Sequence, residues 1–205
     1  MSFALLPRIS LIAALAIALS GCVSNGGPSG PVASESFLAV SPMRWDHRPE
    51  AKSWTIEAVE AVAKKDAVLA GRVPKDIKTW CPGYEKASIS ERRAFWVGLM
   101  SAVSKHESTW QPNVTGGGGR YVGLMQISPT TAKGHGCDAK SAKALKDGGD
   151  NLSCAVEIFA EKVGADGVVA GNGRAGLGRD WGPFHNAKKR AEMAAWTSKQ
   201  PYCKI

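Results

Sequence analysis

No stretch of this chain alternates polar and apolar residues with a convincing period of two, so the sequence does not encode an extended sheet. It has neither a Cys-x-x-Cys nor a His-x-x-x-His spacing, which argues against a structural zinc site. His106-Glu107-Ser108-Thr109-Trp110 opens like a zinc-protease motif, but the second histidine that motif requires is Trp110. Ser108 and His106 do not face each other on a helix, so they make no nucleophile–base pair. The N-terminal apolar run from Leu11 to Leu19 is too short to span a bilayer as a finished helix. Gly171-Asn172-Gly173-Arg174-Ala175-Gly176 has dinucleotide-fingerprint spacing, but no strand precedes it and no βαβ unit surrounds it. That segment reads as a mobile loop. No cofactor or metal is called for.

What is present begins with a targeting segment. Residues 1–21 read as a signal peptide, with Arg8 ahead of the apolar run and Leu19-Ser20-Gly21-Cys22 behind it. Small residues before a cysteine resemble the bacterial lipobox, in which the thiol of Cys22 is lipidated and becomes the new N-terminus. An ordinary secretory signal cut near Gly21 is the alternative. Acyl chains anchor a protein at a membrane, and Val23 in place of an Asp implies the outer membrane, facing the periplasm. Residues 22–44, rich in Gly, Ser and Pro from Ser24 to Pro42, read as a flexible tether. Residues 45–205 are long enough for one domain with its own core.

The chain has five cysteines, and lipidation of Cys22 leaves an even set in an oxidising compartment. Cys81, Cys137, Cys154 and Cys203 allow three connectivities. Of these, Cys137 with Cys154, which closes a short loop between neighbouring elements, and Cys81 with Cys203 is the preferred set. The formal net charge of +8 favours anionic partners. Nucleic acid is not expected, because no recognised binding motif appears. Peptidoglycan carboxylates and anionic lipid head groups suit an exported chain. A solvated basic surface, notably Lys188-Lys189-Arg190 and the lysines from Lys133 to Lys146, is the alternative.

Helical signals dominate the rest. Ser53 to Ala70 places Trp54, Ile56, Val59, Val62 and Val68 at helical spacing. Pro74 and Trp80-Cys81-Pro82-Gly83 interrupt it. Ser88 and Glu91 form a capping box that starts a helix running to about Ser108. Ser128-Pro129 starts another, Asp150 caps a third to about Val163, and Pro183 to about Ser198 gives the last. Within the strongest helix, Trp96, Met100, Val103 and Glu107 share a narrow face. A carboxylate that continues an apolar stripe is expensive to desolvate, and desolvation raises its pKa. A proton held near neutral pH is what a general acid needs.

Glu107-Ser108-x-Trp110-x-Pro112, followed by Gly123-Leu124-Met125-Gln126-Ile127-x-Pro129-x-Thr131-Ala132, resembles the soluble lytic transglycosylase family. This is the lysozyme-like family that cleaves peptidoglycan glycan strands. The likeness covers Glu91 to about Asn186, with residues 88–198 as the motif core. Asn151-Leu152 resembles a third motif, in which Ala155 stands for the usual Gly and Ile158 for the usual Tyr. The fold implied is mainly α, a goose-type/soluble lytic transglycosylase helical domain with loops lining a glycan groove.

By position, the resemblance makes Glu107 the catalytic acid/base. It makes Ser108, Gly116, Met125, Gln126, Asn151, His185 and Asn186 substrate-binding candidates. Gly116 falls near a position where the family often has Ser. Phe184-His185-Asn186 replaces Ala-Tyr-Asn, so His185 stands where a Tyr usually hydrogen-bonds near the acid. The activity implied is non-hydrolytic cleavage that leaves 1,6-anhydromuramyl ends, by a monomer whose partners are glycan strands and the membrane. Ser108 to Gln126 contains no Asp or Glu that would activate water. A hydrolytic muramidase using Asp138, Asp147, Asp150 or Asp180, and a catalytically silent peptidoglycan-binding lipoprotein, are the alternatives.

Overall fold

The structure is a computed structural model that describes Met1 and residues 41–205; the signal peptide, Cys22 and most of the tether lie outside the described residues. Among the described residues no helix is long and apolar enough to cross a membrane. Helix α1 (Ala51–Lys64) is shorter than its apolar pattern predicts. The chain turns away after Lys65, where Asp66 pairs with Arg93 and Leu69 and Ala70 are buried. Ile56, expected on the buried face, is 39% exposed. The interrupted stretch that follows holds one helical turn, α2 (Ile77–Trp80).

Helix α3 (Ile89–Glu107) starts at the expected capping box: Ser88 Oγ accepts from Glu91 N, and the Glu91 carboxylate accepts from Ser88 N at 2.7 Å. Two strands then appear that the sequence did not announce, β1 (Thr115–Gly116) and β2 (Tyr121–Val122). Two residues per strand are too few to show an alternation. Helix α4 (Pro129–Gly134) is capped by Ser128 as its Ser-Pro start predicts. Helix α5 (Gly148–Asp166) starts before Asp150, because Asp147 is its cap and accepts from Asp150 N at 3.0 Å. Gly148 and Gly149 are poor helix formers and hide that start. Their missing side chains let α5 close on Trp54 and Glu57 of α1. Helix α6 (Ala187–Thr197) is capped by Asn186, and Pro183 sits in a separate 3-10 turn, Gly182–Phe184.

The centre of the molecule is α3. Every residue from Ala94 to Ser104 is buried, so the expected narrow stripe is in fact burial on all sides. Helices α1 and α6 and the C-terminal turn pack against it, and α1 also packs on α5. Edge-to-face rings link Tyr84, Phe95, Trp96, Phe159 and Trp181 through this centre. The polar ends of two of them are satisfied: Trp96 donates to Tyr84 Oη at 2.9 Å, and Tyr84 donates to Leu69 O at 3.0 Å.

The Gly171–Gly176 segment is pinned, where the sequence suggested a mobile loop. The Asp76 carboxylate accepts from the backbone N–H groups of Val169, Ala170 and Gly171, and Asp166 accepts from Gly176 N. No local pattern announces carboxylates that reach a loop from so far along the chain. Disulfides join Cys81 to Cys203 and Cys137 to Cys154, the pairing preferred from loop length. The first ties the C-terminal turn to the segment after α2, where Gly83 N also donates to Cys203 O at 2.9 Å. Closing a loop of 122 residues restricts the unfolded chain strongly. Replacing Cys81 and Cys203 together by Ser should lower the unfolding free energy by about 3–5 kcal/mol, read from denaturant midpoints.

Candidate active site

Glu107 is the last residue of α3. Immediately after it the backbone turns sharply, with Thr109 at φ 51° and Trp110 at φ 56°. Trp110 fixes this turn by donating its indole N–H to Ser101 O at 2.8 Å and meeting the His47 ring edge-on. Gln126 at φ 49° is the third non-glycine residue in the left-handed region among the described residues. Strain of this kind is held only where the surroundings over-determine it. All three positions lie in the two segments carrying the paired motif.

The Gly123–Ile127 loop is held from below. Asn151, at the start of α5 and fully buried, accepts from Met125 N at 2.8 Å and donates to Val122 O and Leu145 O. Trp181 donates to Met125 O at 3.0 Å, and Ser104 donates to the Met125 sulfur. Ser108 donates to Leu124 O at 2.9 Å. Ser108, Met125 and Asn151 are therefore buried supports of the loop, whereas the sequence reading offered them as substrate contacts. Their polar groups are already partnered inside the protein, and Met125 has no exposed surface.

Gln126 is partly exposed above this floor. Its amide N–H donates to Gly123 O at 2.9 Å and to Val114 O at 3.4 Å, so the opposite amide orientation would set its oxygen against two carbonyls. Gln126 Oε1 is left as an acceptor. A Cβ at Gly116 would lie 2.4 Å from that oxygen, so the glycine leaves room for the amide where it stands. A serine at 116 would have to displace Gln126.

The other side of the site is α6 and the turn before it. The His185 ring nitrogen Nε2 bonds to Gly178 O, which can only accept, so Nε2 carries the hydrogen. No bond runs from His185 to Glu107, the contact its position in the motif suggested. Asn186 accepts from Lys188 N and Lys189 N, and the resulting first turn of α6 carries Lys189. One turn on, Glu192 binds Lys105 and His106 of α3 at 2.9 Å each and Arg44 at 2.6 Å. These bonds hold Glu192 well below the usual carboxylate range, at about 2, with Arg44 as the largest cause. They also dock the last turn of α3 on α6. Glu192 and Trp181 carry no site signal in the sequence, and Lys189 reads there only as part of the basic Lys188-Lys189-Arg190 run. The two α6 residues belong to or follow a basic run that resembles any solvated helix face, and Trp181 has no local signal.

Glu107 is mostly buried, and no hydrogen bond or ion pair holds its carboxyl among the described residues. Burial raises its pKa to about 7, against the opposing pull of the Lys189 ammonium. No other charged group acts on it appreciably. Asp147 and Asp150 instead act on Glu57 across the α1–α5 interface, Asp138 lines the concavity there, and Asp180 pairs with Lys162. A buried, unpaired carboxyl that keeps its proton near neutral pH can protonate a leaving oxygen and afterwards accept a proton.

Residues 86–191 match the family described as Transglycosylase SLT domain, and the chain belongs to this family. Among solved structures, the wild-type form 2 of Bd0314 DslA is similar, with 26% identity and a TM-score of 0.71, covering 80% of this chain and 98% of that one. Two single glutamate-to-glutamine mutants of the same protein are also similar. One has 26% identity and a TM-score of 0.72, covering 80% of this chain and 98% of that one. The other has 25% identity and a TM-score of 0.69, covering 79% and 97%. No curated protein matches. The mainly helical, lysozyme-like architecture is thus shared along nearly the whole of those structures.

Because the folded state binds the Glu107 proton more tightly than the unfolded chain, stability falls as pH rises from the ordinary glutamate value toward about 7. Glu107→Gln removes that loss. The variant should be more stable than the parent at pH 8, by up to about 3 kcal/mol, with the gain shrinking toward pH 4.5. Thermal melts across that range check it.

Proposed function

We propose that this chain is a peptidoglycan lytic transglycosylase. It cleaves the β-1,4 bond between N-acetylmuramic acid and N-acetylglucosamine without water and leaves 1,6-anhydromuramyl ends. The observation that carries the reading is the Glu107 carboxyl: desolvated, unpaired, with a pKa near 7, and set at the end of a buried helix beside the Gly123–Ile127 loop. Membership of the transglycosylase family supports glycan strands as the substrate.

In this mechanism Glu107 gives its proton to the glycosidic oxygen as the bond to C1 of the muramyl sugar breaks. The sugar's own 2-acetamido group stabilises the developing positive charge. Lys189 steadies the Glu107 carboxylate so formed. That carboxylate then takes the proton of the muramyl C6 hydroxyl, whose oxygen bonds to C1. Glu107 ends as it began, and no water is consumed. Hydrolysis by inversion needs a second carboxylate to activate water, and the four aspartates considered from the sequence all act elsewhere than on Glu107. Cys22, lipidated at its thiol and made the new N-terminus by signal removal, anchors the enzyme to the outer membrane facing the periplasm, and the segment up to residue 44 gives it reach.

Digestion of isolated sacculi, followed by mass spectrometry of released muropeptides, tests this directly. Anhydro ends are expected, and Glu107→Gln should release none. Reducing ends would mean hydrolysis, and no release from the parent would mean a silent binding protein.

The alkaline limb of the pH–rate profile gives a second test. kcat/KM should fall above about pH 7, as Glu107 loses its proton. In Lys189→Ala the counter-charge is gone, Glu107 holds its proton more tightly, and the falling limb should move to higher pH. A limb that stays in place in that variant would remove Lys189 from the mechanism.

A further inference from the structure

The hairpin beside Gln126 carries a feature that the catalytic chemistry leaves unused. Strands β1 and β2 are antiparallel, and Gly116 is directly opposite Tyr121. Residues paired in this way direct their side chains to the same face. The Gly116 direction on that face points at Gln126 Oε1, so Tyr121 projects on the side where the Gln126 amide lies. Tyr121 is 41% exposed, whereas its neighbour Val122 is fully buried and bridges to Ile127. One strand thus anchors in the core through Val122 and presents Tyr121 outward.

The glycine run lets the ring take this position. A Cβ on Gly117 would lie 2.7 and 2.9 Å from two adjacent carbons along one edge of the Tyr121 ring. The ring therefore leans on bare backbone. Cβ atoms at Gly118 and Gly119 would meet nothing within 4 Å, so the tip leaves the approach open. The Arg120 guanidinium lies 6.0 Å from the ring centroid, on the same tip. A phenol ring has a flat, electron-rich face. The axial C–H bonds of a β-linked pyranose offer a flat, weakly positive face of similar size.

We propose that Tyr121 is a sugar-stacking platform on the rim of the groove. Its ring packs against a pyranose of the β-1,4 glycan strand, beside Gln126, which the family resemblance already places among the substrate-binding residues. The Gly116–Gly119 run holds the ring and the amide in register. This assignment rests on the glycan-strand reading of the site.

The test uses full-length protein carrying Glu107→Gln, so that strands are bound and not cut, with peptide-free glycan strands as the probe in isothermal titration calorimetry. Adding Tyr121→Ala should raise the dissociation constant about tenfold, the upper range for an aromatic face contact. Tyr121→Phe keeps the ring and should bind like its parent. The residue is exposed, so unchanged melting of both variants checks that the fold is intact. Equal affinity of the Ala variant and its parent overturns the platform while leaving the glycan reading in place. A parent that binds no strand removes that reading and the platform with it.

Discussion

Burial raises the Glu107 pKa toward neutrality, and the middle of α3, from Ala94 to Ser104, is buried on all sides. A helix wrapped by neighbours along its middle delivers its terminal side chain into a place that water solvates poorly. The carboxyl there has two ways to avoid an exposed charge in low dielectric: find a cation or keep its proton. Glu192 engages Arg44, Lys105 and His106, and leaves Lys189 to act on Glu107. The chemistry proposed for the site follows from that distribution of charge.

A second dependence runs through Asn151. A loop with a left-handed glutamine cannot hold its shape by sheet pairing alone, and the adjoining strands are two residues each. The buried amide of Asn151 replaces a ladder, with three bonds to three separate backbone groups. Trp181 and Ser108 close the remaining carbonyls of Leu124 and Met125. Asn151, Trp181 and Ser108 thus act on the loop by fixing its backbone.

Much of this was legible in the sequence, for physical reasons that differ by element. Capping is local, so Ser88 with Glu91, and Ser128 with Pro129, marked two helix starts correctly. The Asp150 assignment missed by one short step, because two glycines look unlike a first helical turn until Trp54 and Glu57 are seen packing into the space they leave. Cysteine pairing followed from loop closure. The Asp76 clamp on the Val169–Gly171 backbone and the Glu192 hub are contacts between residues far apart in the chain, and no spacing rule encodes them. Periodicity put Glu107 among apolar residues. The wrapped helix, more than a one-sided stripe, is what desolvates it.

All four bridged cysteines are almost wholly out of solvent, Cys81 at 0% exposure and Cys154 at 2%. Thiol–disulfide exchange needs a thiolate to reach a sulfur atom. A reductant can therefore meet these bridges only during moments when the surrounding segment has opened. The rates of reduction of the two bridges then act as clocks for two different regions. Cys81–Cys203 times the release of the C-terminal turn, and Cys137–Cys154 times the parting of α5 from the segment after α4.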